Sequence, residues 1–574
     1  MQTHIIRQTL LASSVAICCC AAQAASLSPV AAEHGMVVSA QHLASQVGVD
    51  VLKKGGNAVD AAVAVGYALA VVYPAAGNLG GGGFMTLQLA DGRKQFLDFR
   101  EKAPLAATPN MYLDANGNVI KGLSTTGHMA VGVPGTVAGM EQALAKYGTM
   151  KRAAVIAPAI QLAERGFTLG EGDVDLMLTA TDDFRKDAPS AAIFLNKGAP
   201  FKPGQKLVQK DLANTLRLIS RHGANGFYKG PVGKALVASS ASGKGILTQA
   251  DLDQYKVREL APVECDYRGY HIVSAPPPSS GGVVICEMLN VLEGYPLKDL
   301  GYRSAQAVHY QIEAMRHAYV DRNSYLGDPD FVKNPLDRLL DKGYAAKIRA
   351  SINPNKAAVS KDLKPGVAPH EGSNTTHYSI VDKYGNAVAV TYTLNDWFGA
   401  KVTAAKTGVL LNDEMDDFTV KVGVPNLYGL VQGEANAIAP GKRPLSSMSP
   451  TIVTRDGKPV MVVGTPGGSR IITAVLHTIL NVIDYGMNVQ EAVDAPRFHQ
   501  QWLPDVTNVE NFALSPDTRK MLISMGHNLG APQPENHVAA ILVGAQSLNG
   551  KPRGAYKFFG ANDPRRNTGL ALGY

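Results

Sequence analysis

A threonine hydroxyl is a weak nucleophile without a base beside it. One way to supply that base is to make threonine the first residue of a chain, so that its own α-amine takes the proton. The pKa of such an amine, about 8, lies close to working pH. The segment Asn374-Thr375-Thr376-His377-Tyr378-Ser379-Ile380-Val381-Asp382 offers a candidate. An internal amide nitrogen cannot act as base, so the bond between Asn374 and Thr375 would first have to be cut. Spacing alone fits an ordinary threonine at a strand edge as well. A second candidate is Gly467-Gly468, between an apolar run and a helical pattern from Ser469. A helix N-terminus presents unpaired N–H groups and positive potential, and glycines let a reacting oxygen approach them, as an oxyanion requires. A plain strand-to-helix turn reads the same.

These groups need a frame. Residues 40–73 read as two helices broken at Gly55-Gly56-Asn57, with Asn57 as N-cap and Pro74 as stop. From Ala61 to Tyr73 the second helix has no charge and is too short for a bilayer, so it belongs between layers. Met85 to Ala90 and Lys94 to Phe99 read as strands around Asp91-Gly92. The glycines Gly80 to Gly83 lack the Lys-Ser/Thr of a phosphate loop, and a tight backbone crossing near Arg100 is expected instead. Residues 105–260 look mainly helical. Tyr267 to Ala275 reads as one strand, followed by an apolar helix to Glu293, and residues 301–350 continue helical. Asn353 to Asn374, with Pro354, Pro365 and Pro369, reads as an exposed flexible connector. Beyond it, Tyr378–Val381 and Ala387–Leu394 form one predicted hairpin, and Thr451–Thr454 with Val460–Val463 another. A helix follows to Tyr485. Strands packed between helices predict an α/β layered sandwich.

The chain has 574 residues, 45% hydrophobic and 18% charged, with net charge +7. That is globular, and long enough for several ordinary domains or one large sandwich. The charge is mild and no dense Lys/Arg block appears, so neither nucleic acid nor a membrane surface is an expected partner. Arg7, the apolar run Thr9 to Ala22 and Ala22-Gln23-Ala24 have the form of a secretory signal, residues 1–24, cut after Ala24. Ile17 before Cys18, Cys19 and Cys20 disfavours a lipid anchor. Sequence alone does not decide whether the remaining cysteines, Cys265 and Cys286, pair; Cys286 lies in an apolar helical pattern. No Cys/His spacing suits structural zinc, so no metal is expected.

The Asn374–Asp382 segment resembles the processing motif of the bacterial γ-glutamyltranspeptidases, where the first threonine is the nucleophile. Further blocks are similar to that family's, and in its order: Asp98-Phe99-Arg100-Glu101-Lys102-Ala103-Pro104, Ala275 to Gly282, Met415-Asp416-Asp417-Phe418, Arg443 to Pro450 and Thr465-Pro466-Gly467-Gly468-Ser469-Arg470. The resemblance runs from about residue 30 to the C-terminus. It implies an N-terminal-nucleophile hydrolase fold, a four-layer αββα sandwich. Two subunits of one autoprocessed precursor would build it, large 25–374 and small catalytic 375–574.

A γ-glutamyl donor carries a free α-carboxylate and α-amine, and burying either unpaired is costly. The resemblance assigns Arg100 to the carboxylate, which its planar fork suits, together with Ser446 and Ser447. It assigns Asp417 to the amine, with Asn395 and Glu414 helping. An acid at 417 favours γ-glutamyl over glutaryl amides, which lack that amine. Gly467 and Gly468 would hold the oxyanion, and Thr393 would bond the nucleophile. Val422 to Pro440 would be a lid, with Tyr428 as its gate. Asp396-Trp397 departs from the small hydroxyl residues of many relatives. The implied activity is a cofactor-free γ-glutamyltransferase and glutathione hydrolase. It would pass the γ-glutamyl group of glutathione to water, amino acids or short peptides, in the periplasm. The rivals are a cephalosporin or glutaryl acylase of the same fold, and a non-enzymatic periplasmic binding protein.

Overall fold

Asn57 caps the helix Ala58–Val72 as expected: its side chain accepts from the N–H groups of Val59 and Asp60, and Asp60 accepts from the Asn57 N–H. Every residue of this helix is buried, its one charged residue Asp60 included. It pairs with His42–Lys53 in a helical layer over the first of two seven-stranded antiparallel sheets. A computed structural model describes residues 26–363, 375–421, 433–532 and 536–574.

The first sheet runs in the order Leu570–Gly573, Met36–Ser39, Thr376–Val381, Ala387–Thr393, Gly82–Gln88, Lys94–Phe99, Arg258–Leu260. The second runs Val30–Ala32, Phe558–Asn562, Ala539–Val543, Lys458–Gly464, Thr451–Arg455, Tyr270–Ser274, Val263–Tyr267. Side chains alternate across a strand. On the central hairpin Tyr378, Ile380, Val388 and Val390 face the helices, while Val381, Ala387 and Ala389 face the second sheet. Helices Gly281–Leu292, Ala305–Tyr325 and Arg470–Ile483 cover the far side of that sheet. The result is the αββα sandwich expected, with one apolar core between each pair of layers. No helix among the described residues is long and apolar enough to cross a membrane.

Two expectations are corrected. The single strand from Tyr267 to Ala275 is instead the second arm of a hairpin, because Arg268 and Gly269 both take positive φ (47° and 81°) and pair Tyr267 directly with Tyr270. The extra strand carries Cys265, which forms a disulfide with Cys286 on the adjoining helix, Cα to Cα 5.9 Å. The connector from Asn353 is mostly exposed in its first part, as expected, but it is not free: it is pinned at the two buried residues Ala357 and Ser360. The Ala357 N–H donates to the Met525 carbonyl at 2.7 Å and the Ser360 N–H to Asp505 Oδ2 at 2.8 Å, and Trp502 Nε1 reaches the Ser360 carbonyl at 2.7 Å. Residues 364–374, including Asn374, lie outside the described residues.

Candidate active site

Thr375 stands at the head of a central strand, 5% exposed. Thr376 pairs with Tyr392, so Thr375 sits at the same end as Thr393 on the neighbouring strand. Thr393 pairs with Gly82, and Gly83 with Phe99, so Arg100 enters at that end too. At roughly 4.8 Å between strands, the row from Thr375 to Arg100 crosses about 14 Å of backbone. The expected glycine crossing is here: Gly80 bridges Leu411 while Gly82 takes its place beside Thr393.

Thr393 is held from two directions. Its hydroxyl accepts from the Asn395 N–H at 2.8 Å, and its carbonyl accepts from Asn78 Nδ2 at 2.8 Å. Asn78 also takes the Gly81 N–H at 2.9 Å and the Thr136 hydroxyl at 2.7 Å through Oδ1. Asn395 has φ 81°, a conformation asparagine tolerates better than most residues, and its Nδ2 donates to the Asp413 carbonyl at 3.0 Å. His377 is not a base. Its ring is buried between the hydroxyls of Thr391 (2.8 Å) and Ser379 (3.0 Å), and burial pushes its pKa down to about 3.

The second sheet brings its own groups to this place. Gly464 ends a strand against His377; a Cβ there would lie 2.2 Å from the imidazole. Three residues on, Gly467 and Gly468 turn the chain into Arg470–Ile483 with φ 134° and 57°. A Cβ on Gly467 would strike Asn536 Nδ2 at 2.2 Å, and that amide donates to the Pro466 carbonyl at 2.7 Å. The glycines therefore sit at a helix N-terminus close to the Thr375 strand, as oxyanion donors must.

Arg100 is 1% exposed and ion-paired to both Glu414 and Asp417. The groups expected to take opposite ends of a zwitterion thus hold one another. Glu101 lies 3.8 Å from Arg100, and burial pushes its carboxyl up to about 7 although Arg100 pulls the other way. Burial likewise raises Glu414 against the pull of Arg100. The Ser446 hydroxyl accepts from the Met448 N–H at 3.1 Å, and the Ser447 hydroxyl accepts from Arg322 at 2.7 Å. An arginine can only donate, so the Ser447 hydroxyl hydrogen remains available to an incoming carboxylate. Asn436 carries Asp417: its Nδ2 donates to the Asp417 carbonyl at 2.6 Å while its Oδ1 accepts from the Leu445 N–H at 2.8 Å. The expected lid therefore ends in a packed anchor at Asn436, and its gate residue Tyr428 lies outside the described residues. Trp397 packs its edge on Tyr73, 6.3 Å between centroids, under the Arg566 guanidinium at 4.5 Å. Both residues line a groove of about 500 Å³ with Arg565 and Asp175.

Asn78, Asp413 and Asn436 were not singled out from sequence. Asn78 adjoins the glycine run, which was the only local hint; the other two act through contacts that sequence spacing does not display.

A sandwich of two antiparallel sheets between helices, with a threonine at the head of a central strand and a glycine turn beside it, is the frame of an N-terminal-nucleophile hydrolase. A γ-glutamyltranspeptidase family model matches residues 44–573. The chain belongs to that family and is an enzyme of it. It is 75% identical over 575 residues to the glutathione hydrolase proenzyme of Pseudomonas sp. (strain A14), covering 100% of both chains. It is 51% identical over 548 residues to the glutathione hydrolase proenzyme of Escherichia coli (strain K12), covering 95% of this chain and 93% of that one. A cephalosporin acylase from Bacillus halodurans has the same fold, with TM-score 0.83 at 27% identity, covering 96% of this chain and 98% of that one.

Proposed function

We propose that the chain cuts itself between Asn374 and Thr375 and then transfers the γ-glutamyl group of glutathione and related γ-glutamyl amides. The observation that carries this reading is the row at one sheet end, in which Thr375 and Thr393 lead to Arg100 with its partners Glu414 and Asp417. The Thr375 hydroxyl attacks the γ-carbonyl carbon and its proton passes to the Thr375 amine. The N–H groups of Gly467 and Gly468 hold the tetrahedral oxyanion. The C–N bond breaks, and the proton goes to the departing amine of cysteinylglycine. Water, an amino acid or a short peptide then attacks the γ-glutamyl ester, restoring the threonine. Arg100, Ser446 and Ser447 take the donor α-carboxylate, and Asp417, Asn395 and Glu414 take its α-ammonium. A zwitterion entering here exchanges the internal ion pairs for its own, so no buried charge is left alone. Tyr428 gates the pocket.

Residues 1–24 direct export to the periplasm, and a disulfide suits that oxidising compartment. Residues 25–374 and 375–574 become the two subunits.

The acylase rival is separated by comparing glutathione with a glutaryl amide. Asp417→Asn should cut kcat/KM for γ-glutamyl donors by roughly tenfold to a hundredfold, because a buried charge-assisted hydrogen bond is worth about 1.5–3 kcal/mol, and should leave glutaryl turnover nearly unchanged. Equal losses on both would remove the amine-pairing role.

A further inference from the structure

His309 and Glu313, one turn apart on the helix Ala305–Tyr325, meet His527 from the far end of the chain. The ligand atoms of the three lie within 4.8 Å of one another, and all three residues are buried, at most 3% exposed. None of them belongs to the site described above. His309 Nε2 bonds the Asn353 carbonyl at 2.8 Å, which places its hydrogen there and turns the Nδ1 lone pair toward His527 Nε2, 2.8 Å away. Among the described residues Glu313 is held by long contacts: the Ala358 N–H at 3.3 Å to each oxygen, and Arg316 Nε at 3.4 Å. Arg316 is turned elsewhere, toward Asp505 and Ser360. The carboxylate therefore keeps acceptor capacity directed at the two rings. His527 Nδ1 is buried with no hydrogen-bond partner among the described residues.

We propose that His309 Nδ1, His527 Nε2 and the Glu313 carboxylate form a structural site for a divalent transition-metal ion of the zinc type. Two imidazoles and one carboxylate are a ligand set for such an ion, and the Asn353 carbonyl supplies the outer contact that fixes one ring. Tetrahedral ligands at about 2.0–2.1 Å from zinc stand roughly 3.3–3.5 Å apart, so the rings part by about half an ångström and Glu313 closes in. His527 moves its hydrogen from Nε2 to Nδ1; no net proton is released. The nearby Arg316 opposes a second cation, and Asp505 and Glu313 balance that charge. The absence of zinc spacing in the sequence does not bear on this site, because His309 and His527 are 218 residues apart. Both flank the held segment Asn353–Ser360, which leads toward Thr375. On the cleavage reading, to which the site adds but on which it does not depend, the ion would join the two subunits.

The test is a titration of chelator-treated full-length enzyme with Co²⁺, read by its visible absorption, beside zinc content after dialysis. The expected result is one equivalent bound with the spectrum of a low-coordinate nitrogen–oxygen site. Affinity should fall by more than about tenfold in His527→Ala and in the near-isosteric Glu313→Gln, which guards against a folding defect. The surface variant His34→Ala should bind as the wild type does, and so should Thr375→Ala, whose failure to be cut concerns only the other reading. No stoichiometric cobalt or zinc in the wild type, or equal binding in Glu313→Gln, overturns the site.

Discussion

Arg100 faces three buried or half-buried acids, Glu101, Glu414 and Asp417, so one cation is shared among more negative charge than it can neutralise. Among them Glu101 is raised by burial to about 7 from an ordinary 4.5. Because its folded value exceeds its unfolded one, ionising it costs stability over the interval from about 4.5 to 7, and that cost is complete above about 7. The same charge competes with a donor carboxylate for Arg100. The donor KM should therefore rise as pH passes about 7, and Glu101→Gln should flatten that rise while leaving kcat less affected. An unchanged pH profile in the variant would remove Glu101 from the pocket's charge balance. At this scale the sequence was most legible where a residue's chemistry is set by its immediate neighbours. Thr375, Gly467-Gly468 and Arg100 stand in short recognisable blocks, and the fold brings those blocks toward one end of the sandwich. Asn436 was illegible because it matters only by bridging Asp417 to Leu445.

Elements were readable where a local stop or cap governs them. Asn57 and Pro74 delimit a helix whose lack of charge from Ala61 onward foretold its burial. The pair Arg268-Gly269 was missed as a turn because arginine is an unusual occupant of a positive φ. With the turn went the strand Val263–Tyr267 and any ground for pairing Cys265 with Cys286. That disulfide ties an outer strand of the second sheet to a helix covering it, across a sequence separation of 21. Closing such a loop restricts the unfolded chain, so Cys286→Ser, or reduction, should lower stability by about 2–4 kcal/mol. The urea midpoint with and without reductant measures this; an identical midpoint would mean that the bond adds nothing. The anchoring of the connector was missed for a related reason. Its anchors, Trp502, Asp505 and Met525, come from far along the chain, and nothing near Ala357 or Ser360 announces them.

Across the whole molecule, a cut before Thr375 does not divide the sandwich into halves. In the first sheet Thr376–Val381 and Ala387–Thr393 lie between Met36–Ser39 and Gly82–Gln88. In the second, Thr451–Arg455 pairs with Tyr270–Ser274. Each piece leaves the other with unpaired strand edges and open apolar faces. The fragments should therefore co-elute after cleavage and part only in denaturant, and residues 375–574 expressed alone should not fold. A soluble isolated fragment with native near-ultraviolet dichroism would contradict this. The layered class was legible because uncharged helices and alternating strands imply faces that must be covered. The full strand order was not, since between the local hairpins neighbours such as Met36–Ser39 and Thr376–Val381 come from hundreds of residues apart.

The proposed activity turns on Thr375 becoming a chain terminus and then the nucleophile. Its most direct test is to purify the protein, separate it on a denaturing gel and sequence the N-terminus of the smaller band, with Thr375→Ala alongside. The wild type should yield a fragment beginning Thr-Thr-His-Tyr, and the variant a single uncut, inactive chain. An intact wild-type chain after prolonged incubation, or a variant cut in the same place at the same rate, would contradict it.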